Sequence, residues 1–405
     1  MKKISLISKK ENEFKYAIGV MTGTSMDGVD VLLVKIKGTG IKTRYSEEIF
    51  ESFDIPAVTA SKMRSIISEK RAGLEDICLL NYEISKLYHD SISRLCKKHS
   101  FDKTNIDFIA VSGQTFFHVP GRATLQLGDG AYLSELAGVP VVWDFRASDI
   151  AAGGQGAPLV PYLDHVLFSK LKKNVMPLNI GGISNITYIP SGGDFNKVIA
   201  FDCGPGNMII DRLVIEYSAG RVVYDKDSRI AAAAEFSETI FKFLLAHPYL
   251  EKYPPKSTGR EDFGDHYVRS LIAFGRERGI CVADMIRTAT EFTAYCVAEA
   301  VKKWILPKCR ENDPEKKGAI MPCAGGGAKN PMILKKMSEM LLPHKVSVVR
   351  SEELGVSPAS KEALLMAVLG NETLYLKPSN VPSATGAGKG VITGTVSIPA
   401  VRSAG

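Results

Sequence analysis

Residues 16–36 read YAIGVMTGTSMDGVDVLLVKI, two apolar runs around a short polar turn. Tyr16 to Val20 and Val29 to Ile36 have the β-branched and aromatic content of strands. The turn between them, Met21 to Gly28, carries glycines, hydroxyls and one carboxylate. This pattern predicts a hairpin whose tip exposes backbone N–H groups, with Thr24 and Ser25 adding donors suited to phosphate oxygens. Asp27 has the chemistry to hold Mg²⁺, directly or through water. The same residues also fit an ordinary Asp-Gly hairpin turn, and spacing alone does not separate the two readings. No Lys-Ser or Lys-Thr pair follows the glycines, so this is not a Walker A loop.

The theme returns downstream. Pro177 to Ile180 and Asn185 to Ile189 read as strands around a second glycine turn. A third strand, Lys197 to Phe201, runs into Asp202-Cys203-Gly204-Pro205-Gly206-Asn207. The recurrence is not a close sequence repeat; a duplicated α/β fold with two facing lobes would place both turns across a cleft, where a phosphate chain would be gripped from both sides. Shorter strands are expected at Asp107–Ser112, Pro140–Trp143, Ile320–Ala324 and Gly390–Ile398. Helical spacing predicts helices over Ile77–Leu95 and Met285–Ile305, and Lys361–Leu374 also reads as a helix.

Several segments have the residue types that chemistry needs. Asp202 ends a strand just before a glycine loop, which suits a fixed general base beside a closely approaching ligand, or simply a strand-terminating turn. Asp144, Arg146 and Asp149 place two carboxylates around one guanidinium. That set suits bidentate bonds to sugar hydroxyls, or an internal ion-pair cluster. Gly325, Gly326 and Gly327 would let backbone lie flat against adenine or ribose, or form a flexible loop. Lys256 to Glu261 could close over phosphates, though taken alone the segment reads better as a solvated charged turn. The seven histidines show no HExxH spacing, and no GxSxG elbow is present.

Composition narrows the classes. A chain of 405 residues with 45% hydrophobic and 23% charged residues is globular and long enough for two lobes. The net charge of +7 is mild and no basic stripe carries interleaved aromatics, so no nucleic-acid partner is expected. Seven cysteines with no CxxC pair argue against a disulfide framework or a zinc site and for a reducing compartment. The lysine-rich start lacks the apolar core of a secretory signal, and no apolar run approaches membrane-spanning length. A cytoplasmic protein with no membrane partner is the expectation.

Taken together, the motifs resemble the anhydro-N-acetylmuramic acid kinases, of the actin, Hsp70 and sugar-kinase superfamily. The likeness runs from about residue 17 to residue 397. It rests on Gly19 to Asp30, Gly113-Gln114-Thr115, Thr124 to Asp129, Asp144-Phe145-Arg146 and Gly153 to Pro161 in that order. Asn179 to Asn185, Phe201 to Asn207, Tyr224 to Asp227, Pro255 to Glu261, Gly325 to Pro331, Lys361-Glu362-Ala363 and Pro382 to Ala387 complete it. The resemblance implies a two-lobed, actin-like (duplicated ribonuclease H-like) α/β ATPase fold with a central cleft. One lobe would span 1–130 joined by 386–405, the other 131–385.

The implied activity is ATP-dependent hydrolytic ring opening and 6-phosphorylation of 1,6-anhydro-N-acetylmuramic acid in cell-wall recycling, by a homodimer using ATP and Mg²⁺. Asp202 would be the catalytic base. Gly23, Thr24, Ser25, Met26, Asp27, Gly28, Gly181, Gly182, Asn185, Gly204, Gly206, Asn207, Gly326 and Gly327 would bind ATP. Gln114, Asp144, Arg146 and Asp149 would meet the sugar, and Asp27, Asp202 and Glu362 would surround the metal. Three positions depart from the family pattern: Ser112 stands for His, Cys203 for Thr and Ser228 for Gly. The alternatives are a kinase of a plainer anhydrosugar such as levoglucosan and a nucleotide-switched binding module. Gly370 to Ala387 looks more like the cell-wall enzymes, and a binding module would need no base at Asp202.

Overall fold

The computed structural model describes residues 7–23, 26–312 and 318–400. In the first unit, β1 (Lys15–Thr22) and β2 (Gly28–Lys37) form the expected hairpin, in register from Lys15 opposite Ile36 to Thr22 opposite Val29. β3 (Arg44–Asp54) pairs antiparallel with β2, and β4 (Ile106–Val111) lies parallel to β1. A separate hairpin, β5 (Gln114–Val119) and β6 (Ala123–Leu127), precedes β7 (Val141–Trp143), which lies parallel to β4. A short strand, Thr395–Ser397, closes that edge; it covers only part of the Gly390–Ile398 strand expected from sequence.

The second unit begins with β8 (Asn174–Val175). β9 (Leu178–Ile180), β10 (Ile183–Tyr188) and β11 (Ile199–Pro205) form an antiparallel meander. β12 (Ala319–Ala324) runs parallel to β9, and β13 (Val346–Arg350) runs parallel to β12. Numbering main-sheet strands within each unit, both sheets have the order 3-2-1-4-5. Both also have an antiparallel first half and a parallel second half. That shared topology is the duplicated, ribonuclease H-like α/β fold, and it gives physical form to the repeat of strand, glycine turn and strand.

The units comprise residues up to Leu167 with those from Ala359 onward, and Phe168–Pro358. This division corrects the expected boundaries at 130 and 385. β7 and the helix Lys361–Leu374 were both assigned to the second lobe, yet β7 pairs with β4 and the helix packs on β1, β2 and β4. From Ala363 to Leu374 every residue of that helix is buried. It can lie so close because two positions lack a side chain. A Cβ at Gly19 would overlap the Ala363 carbonyl, and one at Gly370 would come within 2.7 Å of the Ala110 methyl. The close seat fixes where the helix starts, and hence where Glu362 stands. Among the described residues no helix is long and apolar enough to cross a membrane.

The last turns of the same helix carry a buried carboxyl. Glu372 is 1% exposed, and its Oε1 accepts the Gly40 N–H at 2.7 Å. Burial raises it to about 7, against the Gly40 N–H and the Tyr162 hydroxyl, which favour the ionised form. A raised carboxyl means that folding takes up a proton. Its contribution is complete below the ordinary carboxylate range and is lost as pH rises through about 7, to the extent of about 3 kcal/mol. Urea midpoints should therefore fall from pH 5 to pH 8 in wild type and fall less in Glu372→Gln. Equal slopes in the two proteins would contradict this.

Candidate active site

Asp202 lies near the end of β11, opposite Asn185 of β10 beside a register shift at Ser184/Asn185. It is held at three points. Its N–H donates to the Lys256 carbonyl at 3.0 Å, and its own carbonyl accepts the Tyr249 hydroxyl at 2.7 Å. Its Oδ2 accepts the Thr258 N–H at 2.9 Å. Burial raises the carboxyl to about 6, and Glu261 adds to the rise, while the Thr258 N–H and Lys256 oppose it. Lys256 to Glu261 is therefore not a free solvated turn. Its backbone grips the acid, and the Lys256 ammonium sits 4.6 Å from the centre of the Tyr249 ring.

Cys203 points the other way. Successive strand residues face opposite sides, and its thiol lies in the apolar core at 1% exposure. Its departure from the usual Thr thus concerns core packing and leaves the Asp202 face unchanged. Ser228 has a comparable explanation. It adopts φ +57°, the region that favours glycine, and its hydroxyl bonds Asn330 Oδ1 at 2.5 Å.

Three glycine loops meet beside Asp202. The Gly206 and Met208 N–H groups donate to the Gly182 carbonyl at 2.8 and 3.1 Å, and the Asn207 N–H donates to the Gly181 carbonyl at 2.8 Å. The Gly181 N–H is spent on the Ile183 carbonyl. A Cβ at Gly206 would run into the Gly181 carbonyl, and one at Gly204 would come within 3.2 Å of Cys296 Cβ. At Gly325, where φ is +85°, a Cβ would meet the Ile180 carbonyl, and at Gly327 it would approach Asn207 Oδ1. Gly181, Gly182, Asn185, Gly204, Gly206, Asn207, Gly326 and Gly327 are thus brought to one end of the second sheet. The N–H groups of Gly181, Gly206 and Asn207 are committed to the fold.

In the first unit, the β1–β2 turn places Met26 at φ +56°, its N–H on the Gly23 carbonyl. Thr24 and Ser25 lie outside the described residues. Asp27 is 75% exposed and pairs with Arg64 at 3.2 Å, and Gly28 opens β2. Glu362 stands in the first turn of the Lys361–Leu374 helix. The protein around it raises its carboxyl, and Asp30 adds to the rise; Lys361 and Arg146 oppose it. The nearness of Asp30 to Glu362 was not foreseen, because the two belong to opposite ends of the chain. Lys361 makes a buried ion pair with Asp164 at 2.6 Å. Among the described residues no three acidic, His or Cys side chains gather as a ready metal cage.

Arg146 donates from Nη1 to the Gly156 carbonyl at 2.8 Å, and burial lowers its proton affinity while Glu362 restores it. Asp144, at φ +54°, accepts the Ala147 N–H at 3.3 Å. The Gln114 side chain is buried, and its Oε1 meets no hydrogen-bond donor among the described residues. Asp149 is a correction. It is fully buried, its Oδ2 accepts the Gly156 N–H, and its Oδ1 accepts from Asn380 and Thr385. Those bonds, with its full burial, make it the anchor of the 153–156 loop.

The chain is similar to known proteins of one family. The family model described as anhydro-N-acetylmuramic acid kinase matches residues 15–399. A protein of that name from Clostridioides difficile is 39% identical over 387 residues, covering 94% of this chain and 98% of its own. The namesake from Caldanaerobacter subterraneus subsp. tengcongensis is 36% identical over 395 residues (95% and 98%), and that of Bacillus cereus strain Q1 is 36% identical over 392 (95% and 100%). The chain is an enzyme of the sugar-kinase class. It belongs to the anhydro-N-acetylmuramic acid kinase family.

The contact of the loops at 181–182 and 206–208 is backbone on backbone, so a single methyl there has nowhere to go. Gly206→Ala should lower stability by about 1–3 kcal/mol, read from urea unfolding. An unchanged midpoint would show that the loops are not packed in this way.

Proposed function

We propose that this kinase converts 1,6-anhydro-N-acetylmuramic acid, ATP and water to N-acetylmuramic acid 6-phosphate and ADP, with Asp202 as the general base. One observation carries the assignment: an acid partly withdrawn from water, gripped through one oxygen and its own backbone, with a proton affinity raised close to neutrality. Such a group is ionised at neutral pH yet basic enough to take a proton in a transition state. In the step, water attacks C1 and gives its proton to Asp202. The C1–O6 bond breaks, and O6 takes the γ-phosphoryl of ATP as its bond to the β-phosphate oxygen breaks. Holding three reactants in line is the larger part of such catalysis.

The remaining expected roles fit this reading. The glycine turn at 23–28 and the loops at 181–185, 204–207 and 326–327 would shape the nucleotide site. Arg146 and Asp144 would meet the sugar, and the unanswered Gln114 Oε1 is an acceptor suited to a sugar hydroxyl. Mg²⁺ bound with a nucleotide takes much of its shell from phosphate and water, so one or two carboxylates suffice. Asp27 is exposed enough to serve, and Glu362 with Asp30 is a like-charged pair that a cation would relieve. When bound, the metal would neutralise phosphate charge.

Two measurements test the reading. ADP release with Mg·ATP should require 1,6-anhydro-N-acetylmuramic acid, and levoglucosan should not replace it; equal turnover with levoglucosan would overturn the substrate. Because the base must be ionised, kcat/KM should fall about tenfold per unit as pH drops through about 6. A profile flat down to pH 4.5 would contradict the role of Asp202.

A further inference from the structure

The grip on Asp202 is asymmetric. Oδ2 receives the Thr258 N–H, whereas no hydrogen bond from the described residues reaches Oδ1. The turn that supplies this N–H has its own fastening. The Thr258 hydroxyl donates to Asp262 Oδ2 at 2.6 Å, inside the short helix Arg260–Phe263. That helix is seated by Phe263, which is fully buried and packs edge-on against Tyr249 with ring centres 5.9 Å apart. Tyr249 in turn donates its hydroxyl to the Asp202 carbonyl. A closed circuit therefore runs from Asp202 through Thr258, Asp262, Phe263 and Tyr249 back to Asp202.

We propose that Thr258 and Asp262 are positioning residues for the reaction: their side-chain bond holds the Thr258 N–H on Asp202 Oδ2 and so leaves Oδ1 as the oxygen that takes the proton from water. This rests on the reading of Asp202 as base. The other groups around it are Lys256 and Glu261 of the same turn, the Tyr249 phenol, and the neighbouring Cys203 thiol. His247 lies beside Asp262, where burial lowers its proton affinity. None of these replaces the Thr258 N–H, because none is a second donor to Oδ2.

The test is steady-state ADP release by the full chain at neutral pH with Mg·ATP and 1,6-anhydro-N-acetylmuramic acid. Thr258→Val keeps the shape of the side chain but removes the hydroxyl. Its kcat should fall by about tenfold or more, with both KM values within about twofold of wild type. Thr258→Ser keeps the hydroxyl and should return kcat to near the wild-type value. Asp262→Ala removes the acceptor instead and should lower kcat with the same unchanged KM values, which guards against a folding defect in either variant. A wild-type kcat in both Thr258→Val and Asp262→Ala, or a loss that Thr258→Ser does not restore, would overturn the proposal. Near-normal turnover in Asp202→Asn would be a different failure, since it removes the base itself and the proposal with it.

Discussion

A carboxylate proposed as a base must be held still and shielded without being neutralised, and the surroundings of Asp202 in the second unit meet that constraint. Withdrawal from water pushes its proton affinity up, and the Thr258 N–H and Lys256 pull it back. The balance leaves it near 6, where ionisation and basicity are both available at neutral pH. The end of β11 supplies the residue. The turn at 256–258 supplies the donor, and Tyr249 braces the backbone from the other side. Beside it, glycine loops meet backbone to backbone because no Cβ intervenes.

The same economy of side chains operates in the first unit. Gly19 and Gly370 let a fully buried helix lie against β1 and β4, and the helix delivers Glu362 at its first turn. Lys361 is tied to buried Asp164, so the start of the helix is fixed by an ion pair as well as by packing. Burial raises the Glu362 carboxyl and Asp30 adds to the rise, an arrangement that a cation would relax. Both units thus have close glycine packing near an acid, on sheets of the same strand order.

Much of this was legible in the sequence. The two hairpins announced themselves through apolar runs around glycine turns, and the helix at 361–374 was also read as one. The 3-2-1-4-5 order was implied only through resemblance, since strand order depends on long-range pairing that local spacing does not encode. β3 went unread because it is an edge strand rich in Arg, Glu and Asp, with one buried residue among eleven. Asp149 was read as a sugar ligand because its partners Asn380 and Thr385 lie far along the chain. The 256–261 turn looked solvated for the converse reason: its charged residues are visible in sequence, but the acid it grips is on another strand.

The role of Asp202 is the claim on which the chemistry turns, and one substitution isolates it. Asp202→Asn keeps the size and the Oδ acceptor for Thr258 but cannot take a proton. Turnover of the anhydrosugar with Mg·ATP should fall roughly a thousandfold, while nucleotide affinity, measured by calorimetry, stays within a few-fold of wild type. Turnover within about tenfold of wild type would show that Asp202 is not the base.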